Sequence, residues 1–449
     1  MSQLSTAAPA RFARGDFGES TALAQRLLNA TLFVTMLFSS IAFVEPSPHD
    51  ALMFVLLAMC VAARVPFDRK LLPLLLLTVV WLLGGLLSLV QVGDQENTIQ
   101  YAGTSVYLGI AGLIFACLFC GGDLKRLSIL RRAYIFAALI ATATGYLGFF
   151  HLVPHYQIFL DNDRVSATFK DPNVYGPFLI FPLLLLIIGF MSRGARLGGL
   201  LIAAALLGGL FLSFSRGAWL HFAVSLCVAV VLLFAAAPDR RMRRRIVMLA
   251  VGAGVTAAIL VVALSSIESV RDVFLIRAKA IQPYDVGPGG RFWFQELALN
   301  QILDHPNGLG PFEFSRIFGG QQHDVYMQGF LVYGWLGGAA YLTLVLVTLA
   351  IGIRAALVAT PWQYYLVAAY AAFVGEFVEG FVVDTDHWRH FFLLLGLIWG
   401  LTVATINSRR RHGYPGYRCY ERLRSAAANS MQVTADHNAA QWPQATSAR

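Results

Sequence analysis

The chain has 449 residues, of which 57% are hydrophobic and only 13% charged, with a mean hydropathy of +0.63. Soluble domains carry about 25% charged residues, so a soluble globular class is excluded and a single membrane domain is expected. The formal net charge of +9 would suit a nucleic-acid binder in a soluble protein, but the placement of the basic residues assigns them to a membrane surface, and no nucleic-acid partner is expected.

In chain order, apolar stretches predict spans at 27–44, 51–65, 71–92, 103–120, 133–153, 173–191, 197–214, 218–236, 246–264, 326–353, 363–383 and 388–406. A hydrocarbon core of roughly 30 Å asks for about 20 apolar residues per helix. The expectation is an all-α integral membrane protein of about twelve transmembrane helices. Leu197–Ala237 is a single apolar run. At about 1.5 Å per residue it would span roughly two bilayers, so it must fold back, and Arg216-Gly217 is the place. The domain reading is a cytoplasmic segment 1–26, nine helices in 27–264, a large periplasmic loop with short helices at 265–325, three helices in 326–406, and a cytoplasmic tail 407–449. That tail is rich in Ala, Ser, Asn and Gln and is expected to be mostly disordered. No internal repeat is found, which weighs against transporters built from inverted halves.

Orientation follows from Lys and Arg. With the N-terminus inside, most of the 34 basic residues fall on the cytoplasmic side, in loops such as 64–70, 121–132, 193–196 and 239–245. The outside keeps Arg164, Lys170, Arg216, Arg271, Arg277, Lys279, Arg291, Arg316 and Arg389. Of the five cysteines, Cys60, Cys117, Cys120 and Cys227 lie in apolar stretches and Cys419 in the inner tail. No disulfide and no Cys-based metal site is therefore expected. The first apolar run follows a mixed polar segment without a small-residue cleavage site, so no cleavable signal is read.

The outer joints carry the chemistry. In Asp163–Asn173, Asp171-Pro172 is a helix start, because the carboxylate caps free amides and proline at the first position loses no bond. Arg164 and Lys170 face either lipid headgroups or an anionic substrate. Arg216, at the fold-back, either snorkels to the surface or projects into a cavity. Gly287–Gly290 open an apolar-rich helix at 291–303, expected at the membrane surface. Arg291 then begins a helix, against the sense of the helix dipole, which suggests a role beyond local stability. Gly308 and Gly310 are expected to make an amide-lined turn for an anion. His323-Asp324-Val325-Tyr326 returns the chain to the membrane, with Asp324 expected to bias the orientation of His323. Arginines neutralise a diphosphate, and a histidine titrating near neutrality accepts a proton. Together they suit displacement of a lipid diphosphate by a hydroxyl.

These motifs resemble the O-antigen ligase and polymerase family. They run in order as Arg164 with Thr168-Phe169-Lys170-Asp171-Pro172-Asn173-Val174-Tyr175-Gly176, Ser213-Phe214-Ser215-Arg216-Gly217, Gly290-Arg291 with Trp293, Pro306 with Gly308-Leu309-Gly310, and His323-Asp324-Val325-Tyr326. The resemblance covers about residues 150–345. Asp324 departs from the family, which more often has Asn there. The resemblance implies a metal-independent, inverting glycosyltransferase of the bacterial inner membrane, working at the periplasmic face without a cofactor. Its implied donor is a polyprenyl-diphosphate-linked glycan, and its acceptor is lipid A–core for a ligase or another saccharide for a polymerase. His323, Arg291 and Arg216 would be catalytic, and Arg164, Lys170, Gly308 and Gly310 would bind substrate. The outer acidic residues are read as scattered, and no metal site is expected among them. A transporter or flippase of lipid-linked saccharide is the competing class.

The orientation has a direct check. A cysteine placed at Gln321 should react with an impermeant thiol reagent added from outside, and one placed at Arg243 should not. The reverse pattern would invert the topology.

Overall fold

A computed structural model of the chain describes residues 15–43, 46–92, 95–194, 196–237, 239–268, 271, 274–275 and 286–412. Arg11, Arg14, Arg277, Lys279, Cys419 and the tail from 413 lie outside the described residues, as do 269–270, 272–273 and 276–285 of the expected outer loop.

The helices are α1 (Gly15–Leu37), α2 (Pro48–Ala62), α3 (Leu72–Ser88), α4 (Gln95–Phe119), α5 (Leu124–Phe149), α6 (Pro172–Phe178), α7 (Ile180–Arg193), α8 (Leu197–Leu212), α9 (Arg216–Ala236) and α10 (Arg240–Ser265). They continue as α11 (Arg291–Asp304), α12 (Glu313–Phe318), α13 (Val325–Ala356), α14 (Gln363–Glu379) and α15 (Arg389–His412). Two short strands, β1 (Leu160–Asp161) and β2 (Arg164–Val165), pair antiparallel before α6. The all-α membrane class is borne out. Among the described residues, 9 spans are long and apolar enough to cross a bilayer. Helices α2 and α8 are apolar but shorter, at 15 and 16 residues.

The local signals act as chain chemistry dictates. Asp171 accepts the amide of Asn173 at 2.7 Å and Pro172 opens α6. The Leu197–Ala237 run breaks at Ser213–Ser215, one residue before the expected point. Ser215 caps α9 by accepting the Ala218 amide at 3.2 Å, which makes Arg216 the first helical residue.

Lipid gives helices no hydrophobic reason to associate, so close approach must come from small residues and polar bonds. Here α3 meets α13 at Gly84 and Gly337, where a Cβ on Gly84 would lie 2.5 Å from the Gly337 backbone. Helix α15 meets α4 similarly, with Gly396 against the Gly112 carbonyl and Gly400 against that of Ala116. Trp81 is fully buried at the first contact, packed on Tyr333, Tyr341 and Phe392.

Helix α13 is broken at Gly334, whose φ of 66° and ψ of −174° are not helical. In a continuous helix the Trp335 amide would bond the Leu331 carbonyl. Instead Trp335 donates to the Pro306 carbonyl at 2.8 Å, while Leu331 accepts the amides of Leu309 and Gly310 at 2.7 and 3.2 Å. The loop 306–310 thus fills both halves of the break and locks the second half of the outer loop to the bundle.

The glycine contacts predict a paired result. Gly84→Ala should lower the thermal unfolding midpoint in detergent, since the added methyl meets backbone and costs about 1–3 kcal/mol. Gly252→Ala on α10 meets nothing within 4 Å and should leave the midpoint unchanged or raised. Equal effects would contradict the packing described.

Candidate active site

The short joint between α14 and α15 gathers the outer residues. Gly380 accepts the Val325 amide at 2.8 Å, which fixes the start of α13. Phe381 accepts the Gln295 side chain at 3.4 Å, which holds α11 over the joint. Asp386 accepts the hydroxyls of Tyr101 at 2.7 Å and Tyr333 at 3.3 Å. His387 Nε2 lies 2.9 Å from Ser105 Oγ, and Arg389 makes two bonds to Asp50 at 2.7 and 2.8 Å.

His323 stands over this joint. Its Nδ1 is 3.6 Å from Asp384 Oδ2, an ion-pair distance longer than the usual hydrogen-bond range of roughly 2.7–3.2 Å. Catalytic contacts are often loose until substrate binds. The His323 side chain is 46% exposed, and its backbone is left-handed with φ at 49°. That conformation is costly for a residue with a Cβ and is concentrated at functional positions. Burial pushes the Asp384 carboxyl above its ordinary range, while His323 and the nearby charge of Arg291 draw it back. Asp384 Oδ1 is buried with no hydrogen-bond partner. Asp384 therefore feels the charge of both His323 and Arg291.

Asp324 acts differently from the expectation. Its carboxylate accepts the amides of Tyr326 and Met327 at 2.9 and 3.0 Å and caps α13. The partner of His323 is Asp384, from a distant part of the chain. One oxygen, Oδ1, accepts both amides, which holds the carboxylate at the helix end.

A second junction adjoins this one. Arg164 is 9% exposed; its Nε donates to the Ser213 carbonyl at 3.1 Å and an Nη to Asn173 Oδ1 at 2.8 Å. Ser215 Oγ donates to the same Asn173 oxygen at 2.8 Å. Arg164 thus ties β2 and α6 to the turn that presents Arg216, a structural duty absent from the sequence reading. Glu379 joins the two junctions. Its Oε2 is 2.8 Å from His221 Nδ1, and its Oε1 would lie 2.7 Å from any Cβ on Gly217. One residue on, Gly380 holds the strand that carries His323. Lys170 lines a cavity of about 230 Å³ together with His49, His387 and Arg389.

The anion turn expected at Gly308 and Gly310 is corrected. The Gly308 amide bonds the His305 carbonyl at 2.9 Å, and the Gly310 amide bonds Leu331. The first amide closes the loop's own turn and the second completes the broken helix, so both are occupied within the protein. Both glycines have positive φ, and a Cβ on Gly308 would lie 2.7 Å from the Gly334 amide. The reading of the outer acids as scattered is also corrected. Asp384-Thr385-Asp386 is an Asp-x-Asp pair in one short joint, with its carboxylates committed to His323 on one side and to two tyrosines on the other.

These features define a polytopic α-helical membrane protein with a polar, arginine- and histidine-bearing site at one end of the bundle. Residues 201–342 match the family model described as O-antigen ligase, which bears out the family read from the motifs and implies O-antigen ligase-like glycan transfer in a membrane. No curated protein matches the chain. The matched segment holds Arg216, Arg291 and His323, whereas Arg164, Lys170 and Asp384 lie outside it. Asp384 and Tyr101 were missed by the sequence reading. The available signal was the run Asp384-Thr385-Asp386-His387 in an otherwise apolar region.

The two aspartates separate by substitution. Asp324→Asn should retain near-normal transfer, since Asn caps helices as well as Asp does. Asp384→Asn should lose about 10-fold or more, because the histidine loses its orienting charge. The opposite ranking in an in vitro transfer assay would exchange their roles.

Proposed function

We propose that this protein is a glycosyltransferase that moves a glycan from a polyprenyl-diphosphate carrier to an acceptor hydroxyl at the periplasmic face of a bacterial inner membrane. In this reading the chain crosses the bilayer twelve times and 265–325 is the periplasmic loop. The observation that carries it is the exposed His323 in left-handed backbone, facing Asp384, whose carboxyl also feels the charge of Arg291.

The chemistry follows from those positions. With Nδ1 turned toward Asp384, Nε2 of His323 takes the proton of the acceptor hydroxyl. The oxygen attacks the anomeric carbon from the face opposite the diphosphate, so a new C–O bond forms, the glycosyl–phosphate bond breaks and the configuration inverts. Asp384 stabilises the imidazolium that results. Arg216 and Arg291 neutralise charge growing on the departing diphosphate, and preorganised charge of this kind commonly gives the largest share of catalysis. Arg164 adds positive potential while holding the Arg216 turn. Lys170, on the neighbouring cavity, meets the diphosphate or a charged group of the glycan. The reaction needs no redox change, and the electrostatic load of the leaving group is carried by arginine without a divalent ion.

The test is transfer in proteoliposomes. His323→Ala should reduce turnover by about 10²-fold or more with donor binding retained. Arg216→Ala and Arg291→Ala should each abolish transfer, and Lys should restore little because it lacks the bidentate fork. Wild-type turnover should persist in EDTA. Normal turnover by His323→Ala would remove the base role, and movement of lipid-linked glycan across the bilayer without bond exchange would replace this reading with the transporter.

A further inference from the structure

A second, larger hollow lies beyond the Arg389–Asp50 pair. Its volume is about 620 Å³, and it is walled by Tyr101, Tyr107, Phe312, Asn97 and Gln100 together with that ion pair. Small-ligand sites typically occupy roughly 300–1,000 Å³. His387 and Arg389 line both this hollow and the smaller one at Lys170, so the two cavities are neighbours across one ion pair.

The wall chemistry is selective. Arg389 is held by both oxygens of Asp50 at 2.7 and 2.8 Å, so an anion would meet a guanidinium already facing a carboxylate. A plain hydrocarbon chain would have to desolvate Asp50 and two side-chain amides. A pyranose satisfies both parts of the wall. Its C–H face lies on an aromatic ring, and its hydroxyls pair with amides that both donate and accept.

Phe312 is an independent pointer. The residue is 46% exposed, yet its backbone is left-handed with φ at 65°. Glycine would hold that backbone without strain. The ring stands edge-on to Tyr101, with centroids 5.3 Å apart at 83°. An exposed aromatic kept in strained backbone over a cavity is the arrangement of a platform for a ligand. Tyr101 also donates to Asp386, two residues from the carboxylate that faces His323, so cavity wall and base share one joint.

We propose that this cavity binds a pyranose ring of the acceptor glycan, with Phe312 and Tyr101 as its aromatic walls and Gln100 and Asn97 as its hydroxyl partners. It seats the attacking hydroxyl toward His323 on the Tyr101 side of the Arg389–Asp50 pair, with Lys170 on the other side. The assignment rests on the glycosyl-transfer reading and deepens it by placing the acceptor.

The test uses the whole protein in proteoliposomes, lipid-linked donor, and envelope glycolipid extracted from the source cells as acceptor. Donor retention is read separately with radiolabelled undecaprenyl diphosphate. Phe312→Gly should raise the acceptor KM by about tenfold or more while kcat and donor retention stay within about twofold. Its unfolding midpoint should be unchanged or higher, because glycine relieves the strained φ. Phe312→Tyr should keep the acceptor KM near wild type, and Gln100→Ala should raise it. An unchanged acceptor KM in both Phe312→Gly and Gln100→Ala, with wild-type turnover intact, would overturn the subsite alone. A lower midpoint in Phe312→Gly with kcat and KM falling together would make Phe312 structural and overturn the subsite too. Absence of transfer by wild-type protein that retains the undecaprenyl diphosphate would overturn the subsite together with the transfer reading.

Discussion

A backbone amide or carbonyl that loses its helical partner inside a bilayer must find another within the protein, because hydrocarbon offers none. That constraint explains the architecture around the site. The break at Gly334 frees the Leu331 carbonyl and the Trp335 amide, and Pro306–Gly310 supplies what each lacks. The loop cannot leave without exposing several polar groups at once. Val325 is fastened to Gly380 by a further backbone bond, so His323 hangs between two anchored points. A left-handed residue persists only where its surroundings over-determine it, and these anchors do so.

Charge is handled by the same logic. Arg164 is nearly buried but spends donors on Ser213 and Asn173, which keeps a full positive charge beside the Arg216 turn with its hydrogen bonding satisfied. Arg389 is matched by Asp50 and contributes shape and polarity more than net potential. Arg291 acts electrostatically on Asp384, drawing its carboxyl down. In a medium of low dielectric such placement counts for more than the number of charges.

Most of the helices were legible from the chain because a lipid-solvated helix must be long and apolar, and its ends are marked by polar residues and caps such as Asp171-Pro172 and Ser215. The fold-back before Arg216 followed from length alone. The site was half legible. Arginines on the sparsely basic side of a membrane protein stand out, as does His323 before an apolar helix. Asp384 did not, because its partner lies far along the chain and only packing brings the two together. Asp324 was expected to bias the orientation of His323, whereas its carboxylate closes a helix end. Gly308 and Gly310 were misjudged for a related reason. A glycine turn looks the same in sequence whether its amides hold an anion or a neighbouring carbonyl.

In the proposed reaction a polyprenyl diphosphate sits between the two junctions, with the terminal phosphate that bears the glycan facing His323. A cryo-electron microscopy structure with undecaprenyl diphosphate bound measures this directly. The account predicts density for the diphosphate contacted by Arg216 and Arg291, with His323 on the open side and Asp384 drawn to hydrogen-bond distance behind it. Diphosphate density away from both arginines, or on the opposite end of the bundle from His323, would contradict it.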